Sequence, residues 1–266
     1  MRVNGIALAT DIASRVVPAY RKLGELSFVY GQGSVVAGFT TKSDLDLVFV
    51  WDRDEPTDLS ARPAGLLNEG ARAPVQYHQP GFYLDRFWMG GRQVDAPHVP
   101  RSVFDDWLRA VMAGGGWERR EHPLPLAAVA GFAYGVILSD HGGTGAAARA
   151  EVAAFPTSLV ERSRALLAEQ LPEYEDLLDG CARRGDGWLF HEVLADGLRY
   201  VFVSWFAAEH RYWPHHKWLQ RWVERFGMDQ SIADLERQLW APGADLARKQ
   251  ELFSALANRV LGLPRP

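Results

Sequence analysis

A chain of 266 residues with 47% hydrophobic content carries enough apolar material for one large core or two modest ones, which excludes a disordered polar chain. A formal net charge of -4 and a pI of about 6.1 exclude a polyanion-binding field spread over the whole surface, so DNA is not an expected partner and an RNA partner needs a local patch. The richest apolar stretch, Leu198 to Ala208, is about half of the roughly 20 residues a membrane span requires. The lone Cys181 excludes an internal disulfide and a cysteine-held metal cluster. Asp11 interrupts the N-terminal apolar residues, so no signal peptide is read there, and a cytoplasmic, membrane-free setting is expected.

In chain order, Ile6, Leu8, Ile12, Val16, Tyr20 and Leu23 fall near helical spacing, and Gly24 is a stop. The sequence therefore predicts an opening helix despite Pro18. Leu26 to Tyr30 reads as a short strand, Gly31 to Gly38 as a glycine-punctuated connection and Leu45 to Trp51 as an apolar strand. Phe82 to Met89 and Gln93 to Val99 flank Gly90-Gly91, a two-residue hairpin signal. From Arg101 onward the periodicity predicts helices near 101–113, 157–182, 188–210, 215–226 and 244–261, with Pro123, Pro125, Gly142, Gly143 and Gly145 read as loop markers. The fold class expected is α+β: a head with a small mixed β-sheet over residues 1–100, then an α-helical body over 101–266.

The chemistry concentrates in YGQGSVVAGFTTKSDLDLVFVW, residues 30–51. Asp44 and Asp46 are two apart at the start of an apolar strand, where period-two alternation turns both carboxylates to one face. Two like charges so placed repel, and a hard divalent cation with oxygen ligands relieves them. Upstream, the glycines of Gly31-Gln32-Gly33-Ser34 let backbone approach phosphate oxygens, and Ser34 adds a hydroxyl.

A Gly-Ser turn, a short spacer and Asp-x-Asp opening a hydrophobic strand resemble the signature of the polymerase-beta-like nucleotidyltransferases, including the antibiotic-modifying members and bacterial members of unassigned function. The resemblance implies Mg²⁺ held by Asp44, Asp46 and a third carboxylate from a neighbouring strand. Asp95, between apolar Val94 and Ala96, is preferred for that place, with Asp85 as competitor. It further implies transfer of a nucleoside monophosphate from an NTP, ATP being the expected donor, to a hydroxyl acceptor. Asp95 is then the general base, and Gly33 and Ser34 line the triphosphate.

The acceptor expected is a small molecule, with the helical body walling its cleft. Protein or tRNA nucleotidylation, and a nucleotide-binding regulator without turnover, are the alternatives. Where relatives carry an arginine after the Gly-Ser pair, this chain has Val35, Val36 and Ala37, so a phosphate-gripping cation has to come from elsewhere. Lys42 is one source. Lys217 is the other, in His210-Arg211-Tyr212-Trp213-Pro214-His215-His216-Lys217-Trp218, where Tyr212 or Trp213 is expected to stack on a base.

Overall fold

The computed structural model describes residues 5–38, 43–53, 75–76, 82–119 and 121–262. Two compact units emerge: Met1–Met112 with Gly116–Ala154, and Ala113–Gly115 with Phe155–Pro266.

The first unit opens with helix α1 (Gly5–Tyr20) and strand β1 (Leu26–Gln32). The single-turn helix α2 (Ser34–Ala37) and strand β2 (Leu45–Trp51) follow, then the two-residue β3 (Val75–Gln76). Strands β4 (Tyr83–Met89) and β5 (Arg92–Pro100) form the expected hairpin around Gly90-Gly91. Helix α3 (Arg101–Met112), helix α4 (Pro125–Tyr134), strand β6 (Val136–Asp140) and helix α5 (Thr144–Ala153) complete the unit. Its six strands run in the order β3-β4-β5-β2-β1-β6. β2 and β5 are parallel and the other pairs antiparallel.

The fold class is the mixed sheet with many helices that the sequence predicts. The domain change differs from the expected residue 100. Helices α3 and α4 pack on the sheet through Phe104 and Phe132, each beside both Phe28 and Tyr30 of β1, and β6 pairs with β1. The first unit thus continues to Ala154.

Alternation sorts the sheet residues between two faces. Leu45, Leu47, Phe49 and Trp51 of β2, Val94 and Ala96 of β5, and Phe87 and Met89 of β4 form one core with Ala9, Ile12, Ala13, Val16 and Tyr20 of α1. The opposite face carries Phe28 and Tyr30 under α3 and α4, packed at ring distances of 5.0–5.2 Å in T-shaped contacts.

The second unit is helical: α6 (Thr157–Arg184), α7 (Gly187–Ala208), α8 (Leu219–Phe226), α9 (Gln230–Leu239) and α10 (Leu246–Leu261). Asp186, Asp229 and Asp245 cap α7, α9 and α10, each accepting from a backbone N–H of the first turn. Cys181 is buried on α6. Among the described residues no helix is long and apolar enough to cross a membrane.

On the α1 face the Tyr20 hydroxyl donates to Asp85 Oδ2 at 2.7 Å, with both residues buried. Tyr20→Phe removes a donor from a buried carboxylate while keeping the ring, so a loss of about 1–3 kcal/mol is expected. Urea denaturation reads it as a lower midpoint at unchanged slope, and an unchanged midpoint contradicts it.

Candidate active site at the start of strand β2

Asp46 is the second residue of β2 and Asp95 the fourth of β5, and the parallel pairing sets them opposite one another, Cα to Cα. Because Leu45 and Leu47 face α1 on one strand and Val94 and Ala96 do so on the other, both aspartates are turned to the opposite face. Asp85 pairs with Ala96 instead, belongs to the α1 face and is fully buried against Tyr20. Of the two candidates for a third carboxylate, Asp95 shares a face with Asp46 and Asp85 does not. Asp44 lies two residues upstream of Asp46, partly buried, just before β2 begins.

The glycine turn closes on the same place. β1 runs through Gln32, which pairs with Asp46, and Gly33 then turns the chain with φ 58° and ψ -124°. That region is open to glycine and strained for L side chains. The point a Cβ would occupy at Gly33 lies 2.8 Å from Oδ2 of Asp46, so the backbone comes to rest against that carboxylate because nothing projects from it. Ser34 Oγ donates to the carbonyl oxygen of Asp44 at 2.5 Å, tying the turn to the entry of β2. Gly131 on α4 leaves room for the Gln32 side chain, where a Cβ would collide with its Oε1.

Asp95 is 7% exposed and heavily engaged. Arg86, its cross-strand partner on β4, donates from Nε to Oδ1 and from Nη2 to Oδ2, each at 2.6 Å. Gln93 Nε2 donates to Oδ1 at 3.0 Å. Among the described residues no three His, Cys, Asp or Glu side chains converge as a ready metal cage. The donor chemistry of Asp44, Asp46 and Asp95 suits a hard cation, and the carboxylate of Asp95 is turned to Arg86.

Two further groups border the site. Burial pushes the Tyr30 phenol well above its ordinary pKa, with the charge of Arg149 opposing and that of Asp46 adding to the rise. Arg149 of α5 has Nη1 on the carbonyls of Ala133 (3.0 Å) and Gly135 (3.1 Å), at the C-terminus of α4, and its guanidinium lies 4.6 Å from the Phe132 ring centroid. Burial lowers its pKa from the usual guanidinium value.

The other residues singled out from the sequence fall elsewhere. Lys42 lies outside the described residues. Tyr212 and Lys217 belong to the second unit. Tyr212 is 3% exposed and packs on Phe155, ring centroids 4.8 Å apart, so its ring serves packing and not base stacking. Trp213 is likewise buried, stacked on His215. Lys217 is exposed in the turn before α8, which begins at Leu219 and not at 215. Apart from these residues, Asp140 at the end of β6 holds the first turn of α5, accepting from the N–H groups of Gly145 (3.0 Å) and Ala146 (2.9 Å). Arg86, absent from the sequence reading, was within reach of it. A two-residue turn at 90–91 sets 89 opposite 92 and, three steps back, 86 opposite 95.

Residues 123–219 match a family model described as a domain of unknown function, DUF4037. The matched stretch holds α4 to α7 and omits all three carboxylates. No curated protein matches the chain. A solved structure, the nucleotidyltransferase-like protein from Exiguobacterium sibiricum 255-15, is similar to it, with 14% identity over 96% of this chain and 74% of that chain and a TM-score of 0.47.

Gly33→Ala brings a Cβ into a glycine-only backbone region and against Asp46. It is expected to lower stability by about 1–3 kcal/mol, measured by urea denaturation. Wild-type stability in that variant would contradict the close approach.

Proposed function

We propose that this chain is a nucleotidyltransferase of the polymerase-beta-like kind. It moves a nucleoside monophosphate, with ATP the favoured donor, to a hydroxyl of a small-molecule acceptor and releases pyrophosphate. One observation carries the reading: Asp46 and Asp95 pair in register on parallel neighbours, on one face, with a glycine turn resting against Asp46. Carboxylates so placed need positive charge between or beside them.

Asp44, Asp46 and Asp95 are the residues that would hold Mg²⁺. Bound there, the metal supplies neutralisation of charge growing on the transferred phosphoryl group and a lower pKa for the attacking hydroxyl. The chain's own residues do the rest. Gly33, without a Cβ, lets the turn rest against Asp46, from where its backbone would approach the triphosphate, and Ser34 holds that turn to Asp44. In the transfer itself the acceptor oxygen bonds to the α-phosphorus, and the bond from that phosphorus to the pyrophosphate oxygen breaks. The acceptor's proton goes to a carboxylate oxygen of Asp95. The engagement of Asp95 by Arg86 and Gln93 favours one alternative, a nucleotide-binding regulator without turnover, and the same assay separates the two.

Incubating the protein with each labelled NTP, Mg²⁺ and a mixture of hydroxyl acceptors is expected to release pyrophosphate, most with ATP. Asp46→Asn is expected to abolish release while leaving the circular dichroism spectrum and melting temperature near wild type, because that carboxylate contributes through charge and not through packing. Full activity in Asp46→Asn contradicts the site. Tight ATP binding without pyrophosphate from any acceptor would favour the regulator.

A further inference from the structure

We propose that Arg86 is a stand-in cation: it holds Asp95 in the metal-free protein and yields that carboxylate when a divalent cation enters. The inference rests on the metal-site reading above. Both oxygens of Asp95 accept from the Arg86 fork at 2.6 Å, and Oδ1 accepts a second bond from Gln93 at 3.0 Å. This is the bidentate arrangement in which a guanidinium binds a carboxylate most firmly. A cation approaching Asp95 therefore has to displace at least one of these donors.

Charge explains why an arginine stands there. Asp95 is in register with Asp46 on the next strand, and two carboxylates so placed in a largely buried setting repel unless something positive is near. Arg86 supplies that charge without a metal. On the other face of the same hairpin, Asp85 is one residue from Arg86, pairs with Ala96 and accepts from the Tyr20 hydroxyl at 2.7 Å. The arginine stands cross-strand from Asp95, the carboxylate in register with Asp46.

Exposure gives the pair a direction of release. The Asp95 side chain is 10% exposed and that of Arg86 31%, so the arginine has an edge on water to which its long side chain can swing, while Asp95 is fixed within β5. Arg86 is a positioning residue: it keeps Asp95 ordered until the metal arrives.

Mn²⁺ binding, followed by the electron paramagnetic resonance of free Mn²⁺, and melting temperature with and without Mn²⁺ test the proposal. Both are measured on wild type, Arg86→Met, Arg86→Lys, and wild type and Arg86→Met each carrying Asp46→Asn. Arg86→Met is expected to bind Mn²⁺ roughly tenfold more tightly than wild type, the scale of one charge-assisted interaction removed as competitor. It should also melt lower without metal and gain more from Mn²⁺ than wild type does. Arg86→Lys, which keeps charge and loses the fork, should fall between, and adding Asp46→Asn should erase the gain. Should the methionine variant fail to fold, the lysine variant decides alone: tighter binding than wild type supports the proposal, and equal or weaker binding overturns it. Mn²⁺ binding that needs Asp46 but is no tighter in Arg86→Met overturns the stand-in role and leaves the metal site intact. Absence of Asp46-dependent Mn²⁺ binding in every variant, with ATP present, overturns the metal site and the stand-in role together.

Discussion

Two carboxylates in register on neighbouring parallel strands set the constraint to which the first unit answers. Neither can escape to the other face. Leu45, Leu47, Phe49 and Trp51 are held against α1, as are Val94 and Ala96, and a one-residue slip of either strand would turn that strand's apolar set away from α1 and put its alternates there. The hydrophobic core against α1 therefore decides where Asp46 and Asp95 point. The charge they bring together must then be balanced locally, by Arg86 in the structure as it stands and by a divalent cation in the function proposed for it.

The sheet handles buried polarity differently on its two sides. Against α1, Tyr20 donates to Asp85, and Trp51 Nε1 donates to His98 Nδ1 at 3.1 Å, with the imidazole stacked on Phe49 and Trp51. On the opposite face the polar groups gather near the ends of β1 and β2 where the glycine turn lies. There Arg149 anchors the C-terminus of α4 through the carbonyls of Ala133 and Gly135, and Gly131 admits Gln32. The segment matched as DUF4037 thus begins, in its α4 to α5 part, as the support of strand β1, which ends at Gln32 just before the Gly33 turn.

Much of this was legible in the sequence, and the failures have physical causes. β2, the β4–β5 hairpin and α1 announce themselves by strict periodicity and turn chemistry. Helix α4, PLAAVAGFAY, is not among the helices the periodicity predicts because it is buried on nearly every side, with Leu126, Ala128, Val129, Ala130 and Phe132 all buried, and so shows no amphipathic stripe. Helix α5 is built of small residues with a weak pattern. Strand β6 is an edge strand of intermediate burial throughout, and with it the domain boundary moved. Tyr212 illustrates the opposite error. An aromatic residue among basic ones reads as a stacking platform, yet its ring fills space beside Phe155. The preference for Asp95 over Asp85 rested on apolar flanks, which both a buried ligand and a core carboxylate share. The hairpin register separates them, since it puts the two aspartates on opposite faces.

Anomalous scattering from crystals grown with Mn²⁺ and a non-hydrolysable ATP analogue tests the central claim most directly. Manganese peaks are expected bounded by oxygens of Asp44, Asp46 and Asp95, with the triphosphate beside Gly33 and Arg86 withdrawn from Asp95. Nucleotide bound with no manganese at these carboxylates, and Arg86 still paired to Asp95, would contradict it.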